Sequence, residues 1–284
     1  MGERRVGIVV DSNSQIPGDL ASRHGIEVVP LTVTVDGIDH TEGVDLDPDT
    51  FYSFWSDGHA PTIETSQPSP GLFVAAYDRL KTDGATEILS IHIAESMSGT
   101  LNSARLAAGL VDIPIRLVDT GTASFGISCC AWAAADALAE GADLEAAAAV
   151  AEQRAAGLHT TFVVGVPALI DRSGRGGGVD VESASSDGVA VLAMTGPNLS
   201  VLATVTDLDA AVNAMVDDAL AWAPSSSDGL RIAVGTSDES SRPMSIALTE
   251  ALQSEASVTE VLQYRIGPSV GAHTGPGTSG LFVF

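Results

Sequence analysis

Val6-Gly7-Ile8-Val9-Val10-Asp11-Ser12 is an apolar, largely β-branched run that ends on an acid and a hydroxyl. Such a run reads as a buried strand. Pro17 then opens a short helix through His24, and Ile26 to Val35 is apolar again, enough for one or two strands. This strand–helix–strand rhythm predicts an α/β fold with a largely parallel sheet. Asp11 falls at the carboxyl end of its strand, where open α/β sheets bind ligands. A plain turn or cap role explains it equally well.

The rhythm continues outward. Asp36-Gly37 signals a hairpin. Asp49 to Ser56 reads as a helix whose Phe51, Phe54 and Trp55 belong in a core. Leu72, Phe73, Ala76, Tyr77 and Leu80 form one helical stripe. Glu87 to Ile93 is a strand whose His92 has a structural role, Leu101 to Leu110 a helix, and Ile115 to Val118 a strand. Alanine-rich helices follow at Ala131 to Glu140 and Leu144 to Ala156. Ser173 to Gly188 is rich in Gly and Ser and reads as a flexible connection. Beyond it lie strands at 189–194, 199–204, 230–235, 258–264 and 281–284, with helices at 208–223 and 243–253 and a loop from Pro224. The expected domains are 1–157 and 158–284.

Three stretches gather hydroxyl or imidazole groups beside glycine or proline turns. Thr65-Ser66-Gln67-Pro68-Ser69-Pro70 leads into the helix bearing Phe73, with Ser69 as expected cap and Pro70 at the first helical position. Ser96-Met97-Ser98-Gly99-Thr100 joins a strand to a helix, and His273-Thr274-Gly275-Pro276-Gly277 precedes the last strand. Hydroxyl donors beside the positive end of a helix are suited to hold an anion.

Composition narrows the classes. The 284 residues allow one large domain or two modest ones, and 45% apolar content suffices for a core. No apolar run reaches the length of a membrane span. Met1-Gly2-Glu3-Arg4-Arg5 lacks the apolar region of a signal peptide, which predicts a cytoplasmic protein. The formal net charge is -24 and Lys81 is the only lysine. That field repels nucleic acid and anionic membranes. Screening confines it to about 8–10 Å at ordinary salt, so any anion must be held by local donors. Cys129 and Cys130 are adjacent, so they make neither a long-range staple nor a zinc framework and read as buried apolar residues. Neither a metal nor a cofactor is expected.

In their order and spacing these stretches resemble the DegV family of bacterial fatty-acid-binding proteins. The Thr-Ser-Gln-Pro-Ser motif at Thr65 to Ser69 and the Ser-Gly-Thr motif at Ser98 to Thr100 carry most of the likeness. Val6 to Ser12, Val28-Val29-Pro30-Leu31, Val118-Asp119-Thr120 and His273 to Gly277 extend it. The resemblance implies two α/β domains with one long-chain fatty acid between them. It further implies that Thr65 and Ser98 contact the carboxylate, with Ser66, Gly99, Thr100 and His273 close by, and that the tail lies in an apolar tunnel. Some relatives of this kind present the carboxylate to a partner fatty acid kinase. Between Arg172 and Ala211 the likeness loosens: Arg172 to Gly178 stands for the family's Gly-Gly-Arg-Ile, Met194-Thr195-Gly196-Pro197 has no lysine, and Thr206-Asp207-Leu208-Asp209-Ala210 is acidic where the family is basic.

A serine hydrolase built from Ser98, His273 and Asp119 is the alternative in another class, although no G-x-S-x-G elbow occurs. The glycines at 174–178 lack a Walker lysine and the dinucleotide spacing, which argues against nucleotide binding by this chain.

Overall fold

A computed structural model describes residues 5–56, 59–174, 178–196, 198–222 and 229–284. Readings that fall on residues 1–4, Arg175 to Gly177, Pro197 and 223–228 lie outside them: the charged N-terminus, the middle of the glycine-rich stretch and the loop from Pro224.

The chain runs β1 (Val6–Asp11), α1 (Gly18–His24), β2 (Ile26–Val29), β3 (Thr32–Val35), β4 (Ile38–Thr41), α2 (Pro48–Ser53), β5 (Ile63–Ser66), α3 (Pro70–Thr82), β6 (Glu87–His92), α4 (Thr100–Ala108), β7 (Ile115–Asp119), α5 (Phe125–Ala139) and α6 (Leu144–Gly157). It continues through β8 (His159–Val163), α7 (Pro167–Ser173), α8 (Val181–Ala184), β9 (Val189–Thr195), β10 (Asn198–Val205), α9 (Leu208–Ala221), β11 (Leu230–Thr236), α10 (Arg242–Gln253), β12 (Val258–Arg265), α11 (Pro268–Thr274) and β13 (Ser279–Val283). These elements form two compact units. One comprises Met1–Asp45 with Glu64–Ala156, the other Leu46–Ile63 with Gly157–Phe284.

The first unit holds a four-stranded sheet of order β2-β1-β6-β7, parallel throughout. Its strands are joined through helices, the usual crossover between parallel neighbours. Val9, Val29 and Ile88 pack against Phe73, Ala76 and Tyr77 of α3 and against Ala104 and Ala107 of α4. Leu72, expected on the same stripe, is 40% exposed because its position is about a third of a turn from Phe73. A small sheet of order β4-β3-β5 contains the Asp36-Gly37 hairpin, both turn residues having positive φ.

The second unit departs from a largely parallel expectation. Its six strands run β10-β9-β8-β13-β11-β12, and only β11 and β12 pair in parallel. A tight hairpin between β9 and β10 forces antiparallel pairing there, and the last strand inserts between β8 and β11, antiparallel to both. One face of this sheet packs Val191, Ile232, Val234 and Leu281 against Met215, Val216, Leu248 and Leu252 of α9 and α10. The other face packs Ala190 and Leu192 against Ile170 and Val181. Val181 is completely buried in α8, so the expected flexible connection at 173–188 contains a packed helical turn.

Leu46–Ile63, which a division in plain chain order at 1–157 and 158–284 leaves with the first domain, packs with the second unit. There Phe51 and Tyr52 of α2 lie against Gly271 of α11, where any Cβ would come within 2.5 Å of the Tyr52 hydroxyl. Arg265 also binds Asp49 at 2.7 Å.

Phe73 is fully buried at the centre of the first unit's core. Phe73→Ala is expected to cost about 3–5 kcal/mol of stability. Urea unfolding monitored by circular dichroism measures this, and an unchanged midpoint would contradict the packing described.

Candidate functional site

The sheet order turns back between β1 and β6. The chain moves outward from β1 to β2, returns to β6 and continues to β7 on the other side. Loops leaving the carboxyl ends of two such strands diverge and open a crevice. Here those loops begin after Asp11 and after His92.

Asp11 is fully buried and fixes the first of them. Its Oδ1 accepts from the Asn13 amide at 3.1 Å, and its Oδ2 accepts from the Ile93 amide at 3.1 Å and lies 2.9 Å from His92 Nδ1. Ser12 Oγ accepts from the Leu31 amide at 2.9 Å and donates to Glu42. Asn13 Oδ1 accepts from the Ser124 amide at 2.9 Å, and Ser128 donates to the Ser14 carbonyl at 2.7 Å.

The second loop is wound tightly. The Ala94 carbonyl accepts from the amides of Met97 at 2.9 Å and Ser98 at 3.1 Å. Asp119 Oδ1 accepts from the amides of Glu95 at 3.2 Å and Gly121 at 3.0 Å. Ser98 Oγ is 2.8 Å from Thr100 Oγ1 and accepts from the Thr100 amide at 3.3 Å, so it stands at the first turn of α4. Thr100 is buried, while Ser98 and Gly99 are half-buried.

The Thr65 limb meets this loop at one place. The Gln67 side chain lies over Gly99, and a Cβ there would fall 2.6–2.8 Å from its amide group. Gly99 therefore permits the close approach that sets 65–67 beside 98–100. Gln67 stands just before α3 and Gly99 caps α4, and the two helices pack together. The segment that leads into α3 therefore reaches the amino end of α4, where free backbone N–H groups carry positive partial charge. Thr65 is half-buried and Ser66 exposed. Pro70 occupies the first turn of α3 as expected, but Ser69 forms no side-chain cap bond.

His273 belongs to the second unit, in the last turn of α11, and is half-buried. The turn after it is held from three sides. Val166 N donates to the Thr274 carbonyl at 3.0 Å, Gly277 N donates to Asp238 Oδ1 at 2.7 Å, and Gly165 faces Pro276 so closely that a Cβ would collide with its carbonyl. Burial tends to raise the Asp238 pKa. Hydrogen bonds from Gly277, Ser237 and Ser240 outweigh it and hold the carboxyl below its ordinary value.

Thus Ser98 and Thr100 are joined by hydrogen bonds at the start of α4, and the Gln67–Gly99 contact brings the segment that follows Thr65 and Ser66 beside them. Gln67, not singled out in the sequence, is the residue that joins their two limbs. The hydrolase trio has no support within either unit: Asp119 accepts from the amides of Glu95 and Gly121, and Ser98 and His273 belong to different units. A serine–histidine–aspartate chain does exist at Ser90, His92 and Asp11, but all three are fully buried and Tyr77 occupies the serine. The acidic segment at 206–210 is a helix start, with Asp207 Oδ1 accepting from the Ala210 amide at 2.9 Å. That bond and one from Thr206 lower the Asp207 pKa. Among the described residues no group of three or more His, Cys, Asp or Glu is placed to hold a metal, and no helix is long and apolar enough to cross a membrane.

The sequence model of the DegV family matches residues 5–284. A DegV domain-containing protein of Streptomyces coelicolor is 30% identical over 99% of this chain and 98% of its own length. The structure of a DegV family protein from Thermus thermophilus, described as fatty acid binding, superposes with a TM-score of 0.89 at 31% identity, covering 99% of both chains. A Thermotoga maritima protein whose structure is described as revealing a fatty acid binding function gives 0.84 at 26% identity, again over 99% of both chains.

Because the Asp238 pKa is lower folded than unfolded, its bonds stabilise the protein above the unfolded value of about 3.9. That stabilisation is lost as pH falls through the folded value. Asp238→Asn is expected to unfold at lower temperature than the wild type near pH 6, with the difference shrinking toward pH 2. A constant difference across that range would show that the carboxylate charge is not what holds the 275–277 turn.

Proposed function

The chain belongs to the DegV family, and from that premise we propose that it binds one long-chain fatty acid and holds its carboxylate at the converging amino ends of α3 and α4. The observation that carries this reading is the seating of Gln67 on Gly99, which brings the Thr65 and Ser98 limbs to one place. Thr65 and Ser98 are the direct donors, and Ser66, Gly99 and Thr100 complete the cradle. His273 is added as a further donor on the family resemblance alone.

The chemistry suits a fatty acid. Its head group asks for charge-assisted hydrogen bonds, and a carboxylate accepts several. Its tail asks for a dry apolar tunnel. Each buried methylene is worth about 0.8 kcal/mol, so some fifteen carbons contribute roughly 12 kcal/mol before the ordering cost. Tail burial sets affinity in this scheme, and the hydroxyl cluster sets orientation. Neutral donors leave the carboxylate nucleophilic, which suits presentation to a partner kinase in the cytoplasm for acyl phosphate formation. In this role the chain is a carrier, and any phosphoryl transfer belongs to the partner. Asp207 and Asp209 begin α9 where the family resemblance calls for basic groups, so a docking kinase would meet an acidic helix start in this chain.

Native mass spectrometry of the purified protein, followed by denaturation and organic extraction, is expected to find one fatty acid of about sixteen to eighteen carbons per chain. A ligand-free mass, with no uptake of added palmitate or oleate, would remove the proposal. Ser98→Ala is expected to weaken palmitate binding about tenfold, the loss of one hydrogen bond to a charged group, with little change for hexadecanol. Equal losses for both ligands would place Ser98 along the tail instead of at the head.

A further inference from the structure

We propose that the buried chain Tyr77–Ser90–His92–Asp11 is a positioning device that holds the two limbs of the site in register, a proposal that rests on the carboxylate reading above. The Tyr77 hydroxyl is 3.0 Å from Ser90 Oγ, Ser90 Oγ is 2.6 Å from His92 Nε2, and His92 Nδ1 is 2.9 Å from Asp11 Oδ2. All four residues have zero exposure. Burial raises the Tyr77 pKa to about 12, against a smaller opposing effect of Ser90, so the phenol keeps its proton at neutral pH. One consistent order of donation follows: Tyr77 to Ser90, Ser90 to Nε2, and Nδ1–H to the Asp11 carboxylate.

Each end of this chain touches a limb of the site. Tyr77 and Phe73 sit on α3, the helix that follows Thr65 to Ser69, and the Phe73 ring meets the His92 ring edge-on at 5.0 Å. At the other end, the same Asp11 oxygen that receives His92 also receives the Ile93 amide, the first backbone donor of the loop leading to Ser98. The His92 carbonyl accepts from the Thr120 hydroxyl at 2.8 Å and its amide at 3.2 Å, which ties in the neighbouring loop after β7. The imidazole therefore stands between the helix that carries one limb and the backbone that carries the other. Apolar side chains of equal volume would fill this core at less desolvation cost. What a directional chain adds is a fixed orientation, because each member constrains the next.

The test uses the full chain and two ligands with the same tail, palmitate and hexadecanol. His92→Phe keeps the ring packing and removes the relay. It is expected to weaken palmitate about tenfold while hexadecanol changes less than about threefold. His92→Asn, whose amide can still donate toward Asp11, is expected to recover part of the palmitate affinity. Tyr77→Phe and Ser90→Ala each remove one hydroxyl, and both are expected to weaken palmitate selectively by about threefold. These two carry the test if His92→Phe does not fold. In the wild type, the low-field imidazole N–H resonance of His92 is expected to move when palmitate is added and to stay when hexadecanol is added. Equal losses for both ligands, or none, together with an unmoved resonance, would overturn the positioning role. A wild type that binds neither ligand would instead sink the fatty acid reading, and would be seen before any variant is made.

Discussion

A buried carboxylate sits where the sheet changes direction, and the rest of the first unit is arranged to satisfy it. Asp11 lies at zero exposure with the Asn13 amide, the Ile93 amide and the His92 imidazole turned toward it. A carboxylate taken from water without partners costs several kcal/mol, and removing one partner from such a group leaves most of that cost standing. The strands that supply these donors are therefore bound to a single register, Val10 opposite Ile91, at their carboxyl ends. A one-residue slip would turn every side chain of β1 to the wrong face and separate Asp11 from the Ile93 amide and the His92 imidazole at once. The position of Ser98, six residues beyond His92, follows from that lock.

Much of the first unit was legible because its signals are local. A β-branched run, a proline-started helix and a second run determine β1, α1 and β2 without reference to anything distant. The hydroxyl-rich starts of α3 and α4 are local too. Features that depend on distant partners were not legible. Leu46–Ile63 joins the second unit through aromatic contacts with Gly271, more than two hundred residues away in the chain. The second sheet is mainly antiparallel because β13 inserts at its middle, a choice made at the end of the chain. Helix α5 begins at Phe125, six residues before the expected Ala131. Ile127, Ser128, Cys129 and Cys130 are weak helix formers, yet all are buried, and tertiary burial overrides propensity there.

The site shows the same split. Thr65, Ser66, Ser98, Gly99 and Thr100 lie in hydroxyl-rich turns, and it is the family resemblance that singles them out. Gln67 is not among them, because its importance comes from a contact with Gly99 across thirty-two residues of chain. Asp11 and His92 were each visible as a strand-end acid and a strand histidine. Their pairing was not, since 81 residues separate them and nothing in either neighbourhood names the other.

A formal charge of -24 makes an anion site in this protein a local matter. Several arginines are already committed to surface carboxylates: Arg79 to Glu27, Arg105 to Glu95, Arg116 to Glu145 and Glu152, Arg231 to Glu260, and Arg265 to Asp49. In the proposed site, helix ends take the place of a guanidinium. Their N–H groups carry partial positive charge without a counterion, they are fixed by the helices that bear them, and their field acts only within the first turn. The cost is orientation, because a dipole works only when it points at the ligand. A guanidinium would follow a misplaced carboxylate, whereas a helix end cannot. On the proposal made for Tyr77, Ser90, His92 and Asp11, that rigidity gives the buried polar chain its role: the weaker and more directional the donors, the more the limbs that carry them must be held in place.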